Sequence, residues 1–218
     1  LGCGAFVVGN RVAGVVVATP EGRGVVLADV VIDSTGNSDI ASAAGAATLY
    51  TDATDVAMQG TGLPPRNLGE SYTNTDFTIA DETDMLDVWS VFVTAKERAS
   101  GAFDLGKLID TRERRRILGD FTVTILDQLN DRTYPDTIVE CWSDFDTHGY
   151  TTDPYFTLDH PPHGKGVRAR VPYRALLPRR LDGILVTGLG ISVHRDAVPL
   201  VRMQPDVQNL GYAAGLAA

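Results

Sequence analysis

The pair Asp146-x-His148, followed by Gly149, has the residue types of proton transfer. A nearby carboxylate fixes a histidine's tautomer, and an imidazole titrates near neutrality. If a strand persists through both, alternation puts the two side chains on one face; the competing reading is a histidine in a turn. Arg112, Arg114, Arg115 and Arg116 form a second group. Alternation along a strand would put Arg112, Arg114 and Arg116 on one side and Glu113 and Arg115 on the other. Guanidinium groups hold carboxylates through paired hydrogen bonds, so one side suits an anionic substrate; the alternative is a solvated charged face. His194-Arg195-Asp196 follows the stretch ILVTGLGIS, where the carboxyl end of a strand tends to meet ligand. His160-Pro161-Pro162-His163 has metal-binding residue types, but adjacent prolines and the lack of a third ligand favour a linker. Cys3 and Cys141 stand far apart without C-x-x-C spacing and suggest neither a disulfide framework nor a metal site.

These residues need elements to position them. AFVVG, RVAGVVVAT and VVLADVVID, at 5–9, 11–19 and 25–33, are β-rich runs separated by Gly9-Asn10 and by the cluster at 20–24, which predicts an antiparallel meander. The last run leads into Thr35-Gly36, and Asn37 or Ser38 is placed to cap a short helix through DIASAAG, stopped by Gly45. From Tyr50 to about Tyr155 the sequence is polar, rich in Thr and Asp, and weakly periodic. Within it, residues 84–101 place Met85, Val88, Trp89, Phe92 and Val93 at helical spacing. LIDTRERRRILGDFTVT reads as two strands reversing near Gly119, ILDQLN as a brief helix and TIVECWSDFD, 137–146, as a strand. A Pro/His/Gly linker at 159–166 precedes VRARVPYRALLP. ILVTG then reads as a buried strand entering a glycine turn, and RMQPDVQNLGYAAGLAA as a closing helix with Pro205 in its first turn and small residues for close packing.

Two units, VIDSTGN and ILVTGLGIS, thus share a strand-to-Thr-Gly pattern, with a meander before the first and a Gly/Ala helix after the second. Together with TRERRRILGDFTVT, DFDTHG, VPYRALLP and the closing helix, the chain resembles the C-terminal part of FAD-dependent oxidoreductases with a glutathione-reductase-type cofactor domain, in the fumarate-reductase-like branch. The resemblance implies the α/β class (α+β if read as a fragment). It implies a partial FAD/NAD(P)-binding, Rossmann-like domain with a β-meander at 1–47, an inserted α+β substrate or cap domain at 48–170, and a return to the cofactor domain at 171–218. It implies FAD as cofactor, near Thr35, Gly36, Asn37, Gly188, His194, Asp196, Met203, Gln204, Pro205, Asp206, Val207 and Gln208. His148, Arg115, Arg116 and Arg202 would serve hydride transfer between flavin and a small, anionic organic substrate. Physics supports the helix assignment independently: unpaired N–H groups and partial positive charge at a helix N-terminus suit the anionic edge of a reduced flavin. The leading G-x-G-x-x-G is absent, Leu1-Gly2-Cys3-Gly4 not being followed by a helix pattern. The chain opens on Leu1 rather than Met and stops at Ala218 within a helical pattern, so the expectation is a chain with both natural ends missing. A non-catalytic module using its Arg cluster on an acidic partner is the alternative.

The net charge of −9 argues against nucleic-acid binding. Residues 165–218 nonetheless hold eight Lys or Arg against Asp182, Asp196 and Asp206, a balance suited to a small anion or to a solvated basic face. No apolar run is long enough for a transmembrane helix. The oligomeric state is not legible; the compartment is cytoplasmic only by default.

Overall fold

β-branched runs divided by tight turns produce the first sheet. β1 (Gly2–Val8), β2 (Arg11–Thr19) and β3 (Gly22–Leu27) form an antiparallel meander in that order. The computed structural model describes residues 1–51, 58–63, 67–71, 73–78, 80–81, 84–98, 101, 110–111, 115–147, 151–160, 162 and 164–218. The β-rich run 25–33, expected as one strand, is two. After Leu27 the chain leaves the meander, and β4 (Val31–Asp33) forms a new parallel pairing with residues 184–186. No Gly or Pro marks that break, because it is set by a partner some 150 residues away in sequence.

α1 (Asp39–Ala43) follows, and its cap differs from the expected one. Ser38 sits at the N-cap with φ 52° and makes no side-chain cap bond. Thr35 Oγ1 accepts from the Asp39 N–H at 2.9 Å, and Asp33 Oδ2 from the Ala41 N–H at 2.9 Å, so residues further upstream satisfy the open donors. β5 (Thr48–Tyr50) comes next, then β6 (Met58–Leu63), β7 (Thr73–Thr78), α2 (Met85–Arg98), β8 (Asp110–Thr111) and β9 (Arg115–Ile117). β6 pairs antiparallel with both β7 and β8. α2 occupies the expected stretch, but only part of the expected stripe packs. Val91 and Ala95 are buried with Val88 and Phe92 half-buried beside them, whereas Met85, Trp89 and Val93 of the stripe are exposed. No reversal occurs at Gly119: β9 pairs antiparallel with β5, and Gly119 bridges to Pro178.

α3 (Ile125–Leu129) carries a capping box in which Thr124 and Asp127 satisfy each other's backbone donors. β10 (Thr137–Ser143) and β11 (Val167–Pro172) form an antiparallel pair. β12 (Ile184–Val186) is fully buried beside β4, and α4 (Gln204–Ala217) closes the chain. β10 stops at Ser143, so the alternation that would pair Asp146 with His148 does not extend to Asp146, and His148 lies outside the described residues.

Two compact units result. The first holds 1–50, 115–146 and 153–218; the second holds 51–114 and 147–152. Residues 115–146 and 153–170, assigned from sequence to the insertion, therefore pack in the first unit. Its core has one cluster about β10, β11, β12 and α4, including Phe145, Leu176, Leu200 and Leu210, and another joining β2, β4, α1 and β12. Truncating a fully buried leucine such as Leu210 to alanine costs about 2–5 kcal/mol in such surroundings.

Candidate functional site

The site is built where parallel β4 and β12 end side by side. Thr187 N–H donates to the Asp33 carbonyl at 2.9 Å, continuing the ladder one residue past the end of β12. Beyond it both chains turn. Buried Asp33 organises the first turn: Oδ1 accepts from the Thr35 N–H (3.1 Å) and hydroxyl (2.7 Å), while Oδ2 holds the start of α1. Thr35 thus shapes the turn with its side chain. Gly36 has φ 76°, and a Cβ there would meet nothing within 4 Å, so this backbone is open for a ligand to approach.

The second turn runs through Gly188-Leu189-Gly190, and Ser38 Oγ donates to the Gly190 carbonyl at 2.9 Å, joining the two turns. A Cβ on Gly190 would lie 2.3 Å from Ser38 Oγ, so this approach requires glycine. Gly188, at φ 69°, has only Val207 Cγ1 nearby, 3.7 Å from where its Cβ would be, which sets this turn beside the first turn of α4. Met203 is the N-cap of α4 and supplies no side-chain acceptor; the Val207 N–H closes the first turn on the Met203 carbonyl at 3.0 Å. Gln204 and Asp206 therefore present first-turn N–H groups with no cap among the described residues, and Pro205 has none to satisfy. Gln208 is exposed further along the helix.

Asp206 itself is buried, and its carboxyl meets the Cys141 thiol of β10. Burial pushes the carboxyl above the ordinary range, and the thiol bond works in the opposite direction. The Cys141 thiol is driven up by burial first and then by Asp206, which leaves it inert as a nucleophile.

The predicted arginines take different positions. The Arg115 backbone N–H donates to Asn37 Oδ1 at 3.2 Å, and its Nη1 reaches Asp39 Oδ1 at 3.2 Å, so β9 is bound to the Thr35–Asn37 turn. Arg116 is buried and donates from Nε to the Val193 carbonyl at 2.9 Å. Arg202 donates from Nη2 to the Asp146 carbonyl (2.7 Å) and carboxylate (3.2 Å). His194 Nδ1 accepts from the Asp196 N–H at 3.3 Å, which puts the proton of a neutral ring on Nε2. Asp196 is buried, pairs with Arg195 at 3.2 Å and accepts from the Asp153 N–H at 2.6 Å. Arg112 and Arg114, like His148, lie outside the described residues.

The structure brings together the Thr35–Asn37 turn, Gly188, the start of α4 and Arg115. The sequence reading missed Asp33, Ser38, Asp39 and Gly190. Asp33 had a local signal, an Asp at a strand end two residues before Thr-Gly, whereas the Ser38 and Gly190 partnership spans the chain. The basic C-terminal stretch is largely neutralised: Arg168, Arg170, Arg174, Arg195 and Arg202 all pair with carboxylates. Among the described residues no cluster of His, Cys, Asp or Glu could hold a metal ion, and no helix is long and apolar enough to cross a membrane.

A model of the family described as FAD dependent oxidoreductase matches residues 87–218, more than half of the chain. The chain belongs to that family, with FAD as its cofactor and a general oxidoreductase role. The matched span contains the second glycine turn and α4; the Thr35 turn precedes it. No curated protein and no solved structure matches the chain. The open glycine backbones and uncapped helix start fit a large anionic cofactor, because both offer N–H donors without a blocking side chain.

Proposed function

We propose that the protein catalyses hydride transfer between flavin and a small, anionic organic substrate, with a Rossmann-like cofactor site in the first unit. The observation that carries this reading is the junction of the Thr35–Asn37 turn, Gly188 and the uncapped first turn of α4. FAD, held there, supplies a two-electron centre. Gln204 and Asp206 donate first-turn N–H groups to an anionic edge, and the helix charge at that end favours such an edge. Pro205 and Val207 fix the turn, Met203 and Gln208 flank it, and His194 and Asp196 brace the segment leading into it. Arg115 engages Asp39 through Nη1, leaving Nη2 for a substrate carboxylate. Arg116 and Arg202 are assigned to orienting the substrate, and His148 to moving a proton.

The test is to purify the full gene product and release its cofactor by denaturation. One FAD per chain is expected; a colourless protein that takes up no FAD would sink the proposal. In the FAD-loaded enzyme, His148→Ala should slow flavin reduction roughly 10²–10⁴-fold if it is the proton-transfer residue. Unchanged reduction rate and substrate affinity would remove His148 from the mechanism.

A further inference from the structure

The chain passes between the two units at four positions, two at the ends of residues 51–114 and two at the ends of residues 147–152. Tyr50 and Arg115, where the chain leaves and re-enters the first unit, are ladder partners in β5 and β9. Asp146 and Asp153 bracket the other passage; the ring of Phe145, next to Asp146, lies 5.6 Å from that of Phe156, three residues after Asp153.

Side chains tie each pair to a different part of the proposed cofactor site. Asp39 Oδ1 accepts from both Arg115 Nη1 and Asn37 Nδ2 at 3.2 Å, and the Arg115 guanidinium lies 5.8 Å from the centre of the Tyr50 ring. With the Arg115 N–H bonded to Asn37 Oδ1, Arg115 is fastened to the turn after β4, and Tyr50 is tied to Arg115 by the ladder and the ring contact. At the other passage, Asp146 receives Arg202 through its carbonyl and its carboxylate, directly before the α4 N-cap. The Asp153 N–H is held by Asp196, within the segment that leads to α4. Partly exposed ion pairs add little to stability one at a time, so placement at the chain's exits is their informative property.

We infer that Asp39 and Asp146 are positioning residues of the oxidoreductase, fastening the exits of the chain to the cofactor turns so that FAD binding orders those exits. The inference rests on the reading that these turns hold FAD. A ligand that stiffens a turn lowers the cost of ordering whatever is fastened to it, and couplings of this kind commonly amount to 5–150-fold. Asp39 acts through Asn37 and Arg115, and Asp146 through Arg202; neither needs to touch the cofactor.

The experiment is amide hydrogen exchange on the full gene product, with and without FAD. In the unmodified protein FAD should slow exchange about tenfold at residues 48–50, 115–117 and 145–147. Asp39→Ala, with FAD content unchanged, should lose the slowing at 48–50 and 115–117 and keep it at 145–147. Asp146→Ala, which removes the carboxylate contact to Arg202 and leaves the carbonyl one, should weaken the slowing at 145–147 and keep it at 48–50 and 115–117. If Asp39→Ala does not fold, Arg115→Lys, which removes the planar fork, reads the same amides. Unaltered exchange in both FAD-loaded variants overturns the inference, as does loss of FAD from either, which would make that residue part of the cofactor site. Absence of FAD from the unmodified protein overturns the functional reading as well, so the two failures are distinguishable.

Discussion

Asp206 and Asp136 respond to pH in opposite directions. The folded protein raises the Asp206 carboxyl by burial, so its stabilising contribution is complete below the ordinary carboxylate value of about 4 and drains away as pH rises through the raised value. Asp136 is lowered, first by its hydrogen bond from Arg174, so its contribution is complete above the ordinary value and is lost as pH falls through the lowered one. Thermal midpoints measured across pH should show both limbs. Asp206→Asn, which keeps the shape but cannot ionise, is expected to flatten the fall on the alkaline side, and Asp136→Asn the fall on the acid side. A slope unchanged by Asp206→Asn would mean that its carboxyl is not strained by burial. Gly190→Ala tests the contact between the two turns. The new methyl must displace Ser38, at a cost of about 1–3 kcal/mol in chemical denaturation. The sequence places Asp206 in a helix's first turn, a common and favourable place for an acid, and the family resemblance puts it near FAD. Its burial against Cys141 depends on β10, which no local pattern links to α4.

Elements were legible where local chemistry decides them, and less so where a distant partner does. The meander follows from β-branched runs and turn residues, and α4 from Pro205 and the small residues after it. α3 was legible for the same reason, because Thr124 and Asp127 form its cap locally. Thr124→Ala should therefore destabilise the protein by about 1 kcal/mol, read from the urea midpoint, while Thr124→Ser should retain most of the stability. The run 25–33 reads as one strand because a single Asp29, without Gly or Pro, does not announce a change of partner. Gly119 resembled a hairpin turn, but its N–H donates to Ser192 Oγ at 2.9 Å, fixing the stretch onto the segment after β12. For α2 the helical stretch was legible and its packed face only in part. Val88 and Phe92 of the expected stripe share a face with Val91 and Ala95 at helical spacing, whereas Met85, Trp89 and Val93 are exposed.

At the scale of the molecule, an acidic chain holds its C-terminal arginines mostly in ion pairs, so little of that basic segment is available as a general polyanion surface. The proposed cofactor site was legible as two Thr-Gly motifs and a closing helix. Parallel β4 and β12 deliver both motifs to the same end of that proposed site. Its occupation should be visible in stability: FAD at a hundred times its dissociation constant should add about 2.7 kcal/mol to unfolding, and calorimetry with added FAD checks this. Gly188→Val, which puts a branched side chain at a left-handed position facing Val207, is expected to reduce that gain. The ladder pairing of Tyr50 with Arg115 has a consequence for modular exchange. Cross-strand neighbours have Cα atoms about 5 Å apart, a gap that a short turn can close. Residues 51–114 are thus carried like a cassette between adjacent points, and a foreign domain with neighbouring termini could be spliced into the same position.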